Sequence, residues 1–357
     1  YNVEAYRNIL KKFKVKVIHQ HQECWPMPLS LALAAKLEDA VFIWNHWSVD
    51  HYPVCYYKTG FADIVFSWGE YNDGYFNSHG YKYRYMLQTG LIAGENITDL
   101  DKDLGTKIRR KFPNHIDFVL TLLDSSHSDT SIDSPTYELL EFYEQMLKFC
   151  VRNKSWGIII QSKGTYFETI KYHRSIHAML KTMISQHRCV ISSTGTRLIP
   201  SCLASDISVC FQINSAGLIA ALASQPVIYW DMAGQKDHPI YKMGVDENIV
   251  FRDFQAIRLA INSFQQGNRA IGDHEAWVEI FDPFRDGQGP ERTGKIINAV
   301  LEGFEKGKTK DDAIKDAVLN YIKIWGNQKV SKYGENKKHS GNLLWKKVLN
   351  DIGRKYH

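Results

Sequence analysis

The stretch Asp206–Asp231, DISVCFQINSAGLIAALASQPVIYWD, decides how the rest of the chain is read. Its apolar, β-branched run Ile207–Phe211 has the composition of a buried strand. A polar turn follows, Gln212-Ile213-Asn214-Ser215-Ala216-Gly217, and then a small-residue helix reaching about Ala223. Pro226 stops the helix, and a second buried strand, Val227–Trp230, ends in an acid, Asp231. This is one βαβ unit, with its polar elements at the carboxyl ends of the strands, where open α/β sheets bind ligands. Ser215, Ala216 and Gly217 stand where the helix begins. The first-turn N–H groups and the positive end of a helix dipole favour a phosphate there, and small side chains let the backbone approach it. The alternative is a βαβ unit in which Asn214 or Ser215 simply caps the helix.

The same alternation extends in both directions. Downstream of residue 116, strands are expected at Asp117–Leu123, Trp156–Gln161, Cys189–Ser193 and Asn248–Phe251. Helices are expected from Ser134-Pro135 to about Arg152, from the Ser162-Lys163-Gly164 turn to about Gln186, and over Phe254–Gln265. With the two strands of the opening stretch, these make one complete α/β domain. Upstream, strands are expected at Lys14–His19, Ala40–Trp44 and Phe61–Trp68, with an Ala- and Leu-rich helix from Pro28. Alternation on this pattern argues a parallel sheet with helices on its faces. The expected organisation is a first domain over 1–110, short for a complete doubly wound domain, and a second over 111–306. A helical, basic segment follows over 307–357. Gly94–His115 is the expected linker.

The composition, 44% hydrophobic and 23% charged over 357 residues, is that of a globular protein long enough for two domains. A net charge of +5 suits an anionic small molecule or a loose hold on an acidic membrane surface, and does not point to nucleic acid. The six cysteines (24, 55, 150, 189, 202 and 210) are scattered without a CxxC pair, which reads as reduced thiols and a cytoplasmic setting. No apolar run is long enough to span a membrane. The basic tail is most simply a solvated helix surface; its sharper reading is peripheral contact with the inner face of a membrane.

Several polar turns fall after strands of the second half: Asp124 to His127, Ser162-Lys163-Gly164, the SSTGTR run that holds Ser193, Thr194 and Arg197, Asn214 to Gly217, and Asp231 to Gly234. A parallel sheet gathers them on one edge. Together they supply hydroxyls, helix N-termini and two cations, Lys163 and Arg197, a combination that suits a diphosphate with a nucleoside attached. Neither GxGxxG nor GxxxxGK[ST] occurs, so the standard dinucleotide and P-loop readings lose support. In the first half, His21, Glu23, His46 and Asp50 lie in polar turns after strands and are the candidates for a general base. His19, His21 and His46 also make a metal site conceivable, but hydrogen bonds within loops account for each histidine more simply.

Two successive α/β halves, with NSAGLIAALASQPVIYWD in the second, resemble the two-domain GT-B glycosyltransferases. The likeness is nearest to bacterial surface-polysaccharide and capsule enzymes, and more distant to teichoic-acid glycerophosphotransferases and UDP-N-acetylglucosamine 2-epimerases. FADIVFSWG, LQTG, DPFRDGQGPERTG and YIKIWGNQKV carry further resemblance. The family implies two Rossmann-like domains. It also implies a nucleotide-sugar donor on the second, a glycan or lipid-linked glycan acceptor on the first, and chemistry in the cleft between. Asn214, Ser215, Ala216 and Gly217 would then contact the donor phosphates, Lys163 would offset their charge, and Asp231 would lie near the sugar or ribose. No cofactor or metal is implied beyond the donor as substrate. A polyol-phosphate transferase, a nucleotide-sugar 2-epimerase and a non-catalytic sugar-nucleotide-binding protein are the rival functions.

Overall fold

Strands buried on both faces read as unbroken apolar runs, and the computed structural model of the protein is built on two sheets whose inner strands include several of this kind. The structure describes residues 3–21, 26–46, 61–71, 73, 76, 81–91, 97–125, 136–163, 171–192, 197–234, 238, 240–241 and 248–333. The strands are β1 (Val17–Gln20), β2 (Val41–Asn45), β3 (Phe61–Ser67), β4 (Lys82–Gln88), β5 (Phe118–Leu123), β6 (Trp156–Gln161), β7 (Cys189–Ser192), β8 (Ile207–Phe211), β9 (Val227–Trp230), β10 (Val250–Phe251) and β11 (Val330–Lys332). The helices are α1 (Val3–Phe13), α2 (Pro26–Leu37), α3 (Asp99–Arg109), α4 (Thr136–Arg152), α5 (Arg174–Ser185), α6 (Leu198–Leu203), α7 (Ser215–Leu222), α8 (Phe254–Gln265), α9 (Glu275–Phe281), α10 (Gly289–Glu305) and α11 (Lys310–Trp325).

The chain forms two units. One is built from the described residues up to 91 together with 277–333, the other from those between 97 and 276. In the first, the sheet order is β1-β2-β3-β4-β11, parallel except for β11, which pairs antiparallel with β4. Ala32 and Ala35 of α2 pack one face against Phe42, Trp44 and Met86. On the other face Ile296 and Val300 of α10 and Ile314, Val318 and Tyr321 of α11 cover Val41, Ile43, Ile64 and Phe66. Each Val, Ile, Phe or Met side chain among these contributes about 1.5–3 kcal/mol when fully buried. Lys310 Nζ adds a salt bridge to Asp63, 2.8 Å away, and donates to the Ala40 carbonyl.

These contacts correct the expected organisation. The segment after residue 306 is not a separate tail where it is described: α11 and β11 complete the first unit, and α10 belongs there too. Residues 334–357, the rest of the basic segment, lie outside the described residues. The expected linker at 94–115 contains α3, closed at its start by a reciprocal cap. The Thr98 side chain accepts from the Asp101 N–H, and the Asp101 carboxylate accepts from the Thr98 N–H at 2.8 Å. The aromatic segment near 81–90, not among the strands expected from sequence, contains β4.

The second unit has a six-stranded parallel sheet, ordered β10-β9-β8-β5-β6-β7. All six residues of β5 and all six of β6 are buried, as both faces are covered. Leu139, Phe142 and Met146 of α4, Ile176 and Leu180 of α5, and Ile257 and Ile261 of α8 share one core with Leu120, Ile158, Val209 and Trp230. Phe112, Ile116 and Ala204 pack on the opposite face with Val119 and Ile159. The strands expected from sequence in this half are all present, within a residue or two at their ends. Among the described residues, no helix is long and apolar enough to cross a membrane.

Candidate functional site

Because the second sheet is parallel, its strands deliver their carboxyl ends to a single edge. The chain moves from β5 outward through β6 and β7, then returns to the other side of β5 for β8, β9 and β10. The order therefore reverses between β5 and β8. In open α/β sheets the loops diverge at such a point and leave a crevice for a ligand. Asp124 and Ser125 follow β5 there, and Gln212 to Ala216 follow β8.

The turn after β8 is built by Asn214. Its backbone is extended, with φ −145° and ψ 165°, and its Oδ1 accepts from the Gly217 N–H at 3.0 Å, capping α7. Its Nδ2 donates to the Phe211 carbonyl at 3.0 Å, so both ends of the buried amide are used within the fold. Gly217 faces the sheet. A Cβ on it would lie 2.4 Å from the Tyr229 ring and 2.6 Å from Cys210 Sγ, so glycine is required for helix-to-sheet contact. Ser215 and Ala216, half-buried, make up the outward part of the first turn.

The neighbouring turns are tied to this one. Asp231, fully buried after β9, accepts from the Gly234 N–H at 3.2 Å. Gln212 donates through Nε2 to Glu138 Oε2 at 2.6 Å and accepts through Oε1 from the Ala233 N–H at 3.3 Å. Partial burial raises the Glu138 carboxyl above its ordinary range; the Tyr137 hydroxyl opposes that, and the Asp231 carboxylate adds to it. Asp124 is the hub on the other side. It accepts from Tyr143 Oη at 2.9 Å, Ser162 Oγ at 2.7 Å and the Lys163 N–H at 2.5 Å. Burial raises its pKa, and those three donors pull it back. The Lys163 side chain is exposed at the end of β6.

Arg197 stands just before α6 at its N-cap position, and its guanidinium pairs with buried Asp101 at 3.3 Å. Ser193 and Thr194 lie outside the described residues. The edge therefore brings together Lys163, Asn214, Ser215, Ala216, Gly217 and Asp231. Asn214 and Gly217 have tasks inside the fold, and Arg197 has an acidic partner.

Glu23 and Asp50 lie outside the described residues. The His21 ring, exposed at the end of β1, lies 5.1 Å from that of His19, and its Nδ1 is 3.4 Å from Asn45 Nδ2. Loss of hydration, with His21 adding to it, lowers the His19 pKa. His46 is enclosed by Trp68, Phe76 and Trp44, with ring centroids at 4.6, 5.4 and 6.2 Å. Burial pushes its pKa down to about 3, so the imidazole is neutral and packs the end of β2. Among the described residues, no group of three His, Cys, Asp or Glu side chains is placed to hold a metal ion.

Sequence reasoning missed three features. Glu138 and the clamp that Gln212 forms on it are one; a Glu in the first turn of a helix carries no signal beyond its liking for the dipole. A second is the buried Asp73, which accepts from Ser67 Oγ at 2.6 Å and Gln88 Nε2 at 2.9 Å at the ends of β3 and β4. The third is Lys329, whose pKa burial lowers against the pull of Glu279, Asp73, Glu70 and Asp282.

No protein-family model and no curated protein sequence matches the chain. Among solved structures it is similar to Staphylococcus aureus MnaA with UDP, at a TM-score of 0.54 and 11% identity, over 84% of this chain and 80% of that one. It is similar to the UDP-GlcNAc 2-epimerase of Neisseria meningitidis bound to UDP-GlcNAc, at a TM-score of 0.53 and 11% identity, over 84% and 80%. Anabaena Alr3699/HepE with UDP and glucose matches at 0.50 and 13% identity, over 82% and 81%. At such identities the likeness defines the fold, which is the two-domain GT-B type.

Proposed function

We propose that the protein is a glycosyltransferase that holds a nucleotide-activated sugar at the carboxyl edge of its six-stranded sheet and passes the sugar to a surface-glycan acceptor. The observation that carries this is the position of Ser215 and Ala216. They open a capped helix at the end of β8, one of the two strands flanking the reversal of strand order. First-turn N–H groups point out of a helix end and, with its dipole, suit a diphosphate. The exposed Lys163 offsets further charge from the end of β6. The solved structures named above hold UDP, UDP-GlcNAc, or UDP with glucose, which supports a nucleotide sugar as the ligand here as well.

In the transfer, the bond from the anomeric carbon to the diphosphate oxygen breaks as an acceptor oxygen bonds to that carbon. Negative charge grows on the departing diphosphate, where the fixed N–H dipoles and the lysine stabilise it without reorganising. The acceptor hydroxyl gives its proton to a base, for which His21, Glu23 and Asp50 are the candidates. The cytoplasmic setting and peripheral membrane contact belong to this proposal.

Incubation with a panel of nucleotide sugars and nucleotide-activated polyols, with and without glycan acceptors, tests it. Acceptor-dependent release of nucleoside diphosphate is the expected result. Inversion of the donor sugar at C2 without an acceptor would make the protein an epimerase. Nucleoside monophosphate released from an activated polyol would make it a polyol-phosphate transferase, and binding without turnover a non-catalytic protein.

A further inference from the structure

We propose that Glu138, held in place by Gln212, reads the hydroxyl groups of the bound donor and so sets which activated sugars the protein accepts. This rests on the nucleotide-sugar reading above and adds to it a residue for specificity.

Gln212 follows β8 directly and is almost completely buried, yet its φ is +58°. That left-handed conformation is disfavoured for a residue with a side chain, and it persists only where the surroundings fix it. Here the fixing contacts are the two hydrogen bonds of the Gln212 amide, one to the first turn of α4 and one to the turn after β9. One buried amide thus locks Glu138 and the Asp231–Gly234 turn to the strand end that leads into Asn214. Gln212 and Ser215 are three residues apart, so their Cα atoms are separated by at most about 11 Å. A single sugar nucleotide spans that distance.

The chemistry of Glu138 narrows what it can meet. Oε2 is used by Gln212, whereas Oε1 lies 3.5 Å from the Tyr137 hydroxyl, too long for a strong bond. The side chain is half-buried, with Asp231 close enough to be felt. An ionised carboxylate only accepts hydrogen bonds. It repels the diphosphate that Ser215, Ala216 and Lys163 attract, so it fits a neutral part of the ligand that donates. The hydroxyls of the ribose and those of the transferred sugar both have that character. Gln212 is the positioning residue: its N–H donation favours the charged carboxylate and fixes its direction.

Calorimetry distinguishes the two sources. The titrants are UDP, CDP, ADP and GDP, their 2′-deoxy counterparts, and the glucose and N-acetylglucosamine conjugates of each. If the ribose is read, Glu138→Ala reduces the preference for the ribonucleotide over the deoxynucleotide about tenfold or more, the size expected for a hydrogen bond to a charged group. If the transferred sugar is read, the same variant reduces the preference for the conjugate over the free diphosphate by a similar factor. Gln212→Met shifts the same ratio in the same direction, and Glu138→Gln, which keeps an acceptor oxygen, restores part of it. Unchanged ratios in folded Glu138→Ala, with wild-type binding intact, overturn the role of Glu138 and leave the donor site standing. Failure of the wild type to bind any member of the panel overturns both.

Discussion

The Asn214 side-chain oxygen and the Gly217 N–H, 3.0 Å apart, close the first turn of α7 at the point where the second sheet reverses its strand order. Both residues serve the fold, and their removal should appear in stability. Asn214→Ala loses the cap and leaves the Phe211 carbonyl without its donor, a cost of about 1–2 kcal/mol. Gly217→Ala forces a methyl group into the Tyr229 ring and Cys210 Sγ, costing about 1–3 kcal/mol. Urea denaturation measures both, and values near zero would show that α7 relaxes away from the sheet.

Ser215 and Lys163 should separate binding from folding. Position 215 is the first residue of α7, and the extended backbone of Asn214 before it is what a proline requires. Ser215→Pro should therefore fold while removing one N–H from the phosphate site. Lys163→Glu changes an exposed side chain. Each should weaken donor binding by about tenfold or more, the size of a lost charge-assisted hydrogen bond, with an unchanged denaturation midpoint. Wild-type affinity in both variants would remove the phosphate site from this edge.

Asp124 should give the second unit a pH dependence of unusual sign. Burial raises its pKa in the folded chain, so the folded state holds the proton more tightly than the unfolded one. Its contribution to stability grows as pH falls through the raised value towards the ordinary aspartate value, and is lost as pH rises through that window. Asp124→Asn can keep an acceptor for the Lys163 N–H, while its amide donates to the rotatable hydroxyls of Tyr143 and Ser162. The variant should be close to wild type in stability and lack this component. Asp124→Ala strands three donors and should cost about 3 kcal/mol or more. Denaturation at several pH values between 4 and 7 compares the three proteins.

His46 acts in the opposite direction in the first unit. Its folded pKa of about 3 lies below the ordinary 6.5, so the unfolded chain binds the proton more readily. The stability of the packed, neutral ring is complete above about 6.5 and declines as pH falls towards 3. His46→Phe, which fills the same aromatic surroundings, should make acid unfolding of this unit shallower. An identical acid limb in variant and wild type would show that the ring is hydrated rather than enclosed.

How much of this was legible depended on how local the cause is. Ile207–Phe211 and Val227–Trp230 announce themselves because a strand buried on both faces needs only apolar side chains. The cap at Asn214 was readable as an alternative to phosphate contact, since a short polar side chain before a small-residue helix serves either end. The Thr98 and Asp101 box was hidden because Asp replaces the more familiar Glu or Gln. β4 was hidden by its charged and aromatic residues, although Tyr83 and Tyr85 alternate with Lys82 and Arg84 along it. The contact of Gln212 with Glu138, and that of Tyr321 with the Gln88 carbonyl, join residues far apart in sequence. No local pattern encodes either.

The return of residues 277–333 to the first unit sets an order of assembly. During synthesis β1 to β4 emerge early, but the helices that shelter Val41, Ile43, Ile64 and Phe66 emerge only after the whole second unit. The later unit can mature on the ribosome while the earlier one waits with an apolar sheet face bare, a state that invites chaperone capture. The protein thus begins the first unit at its amino end and finishes it last.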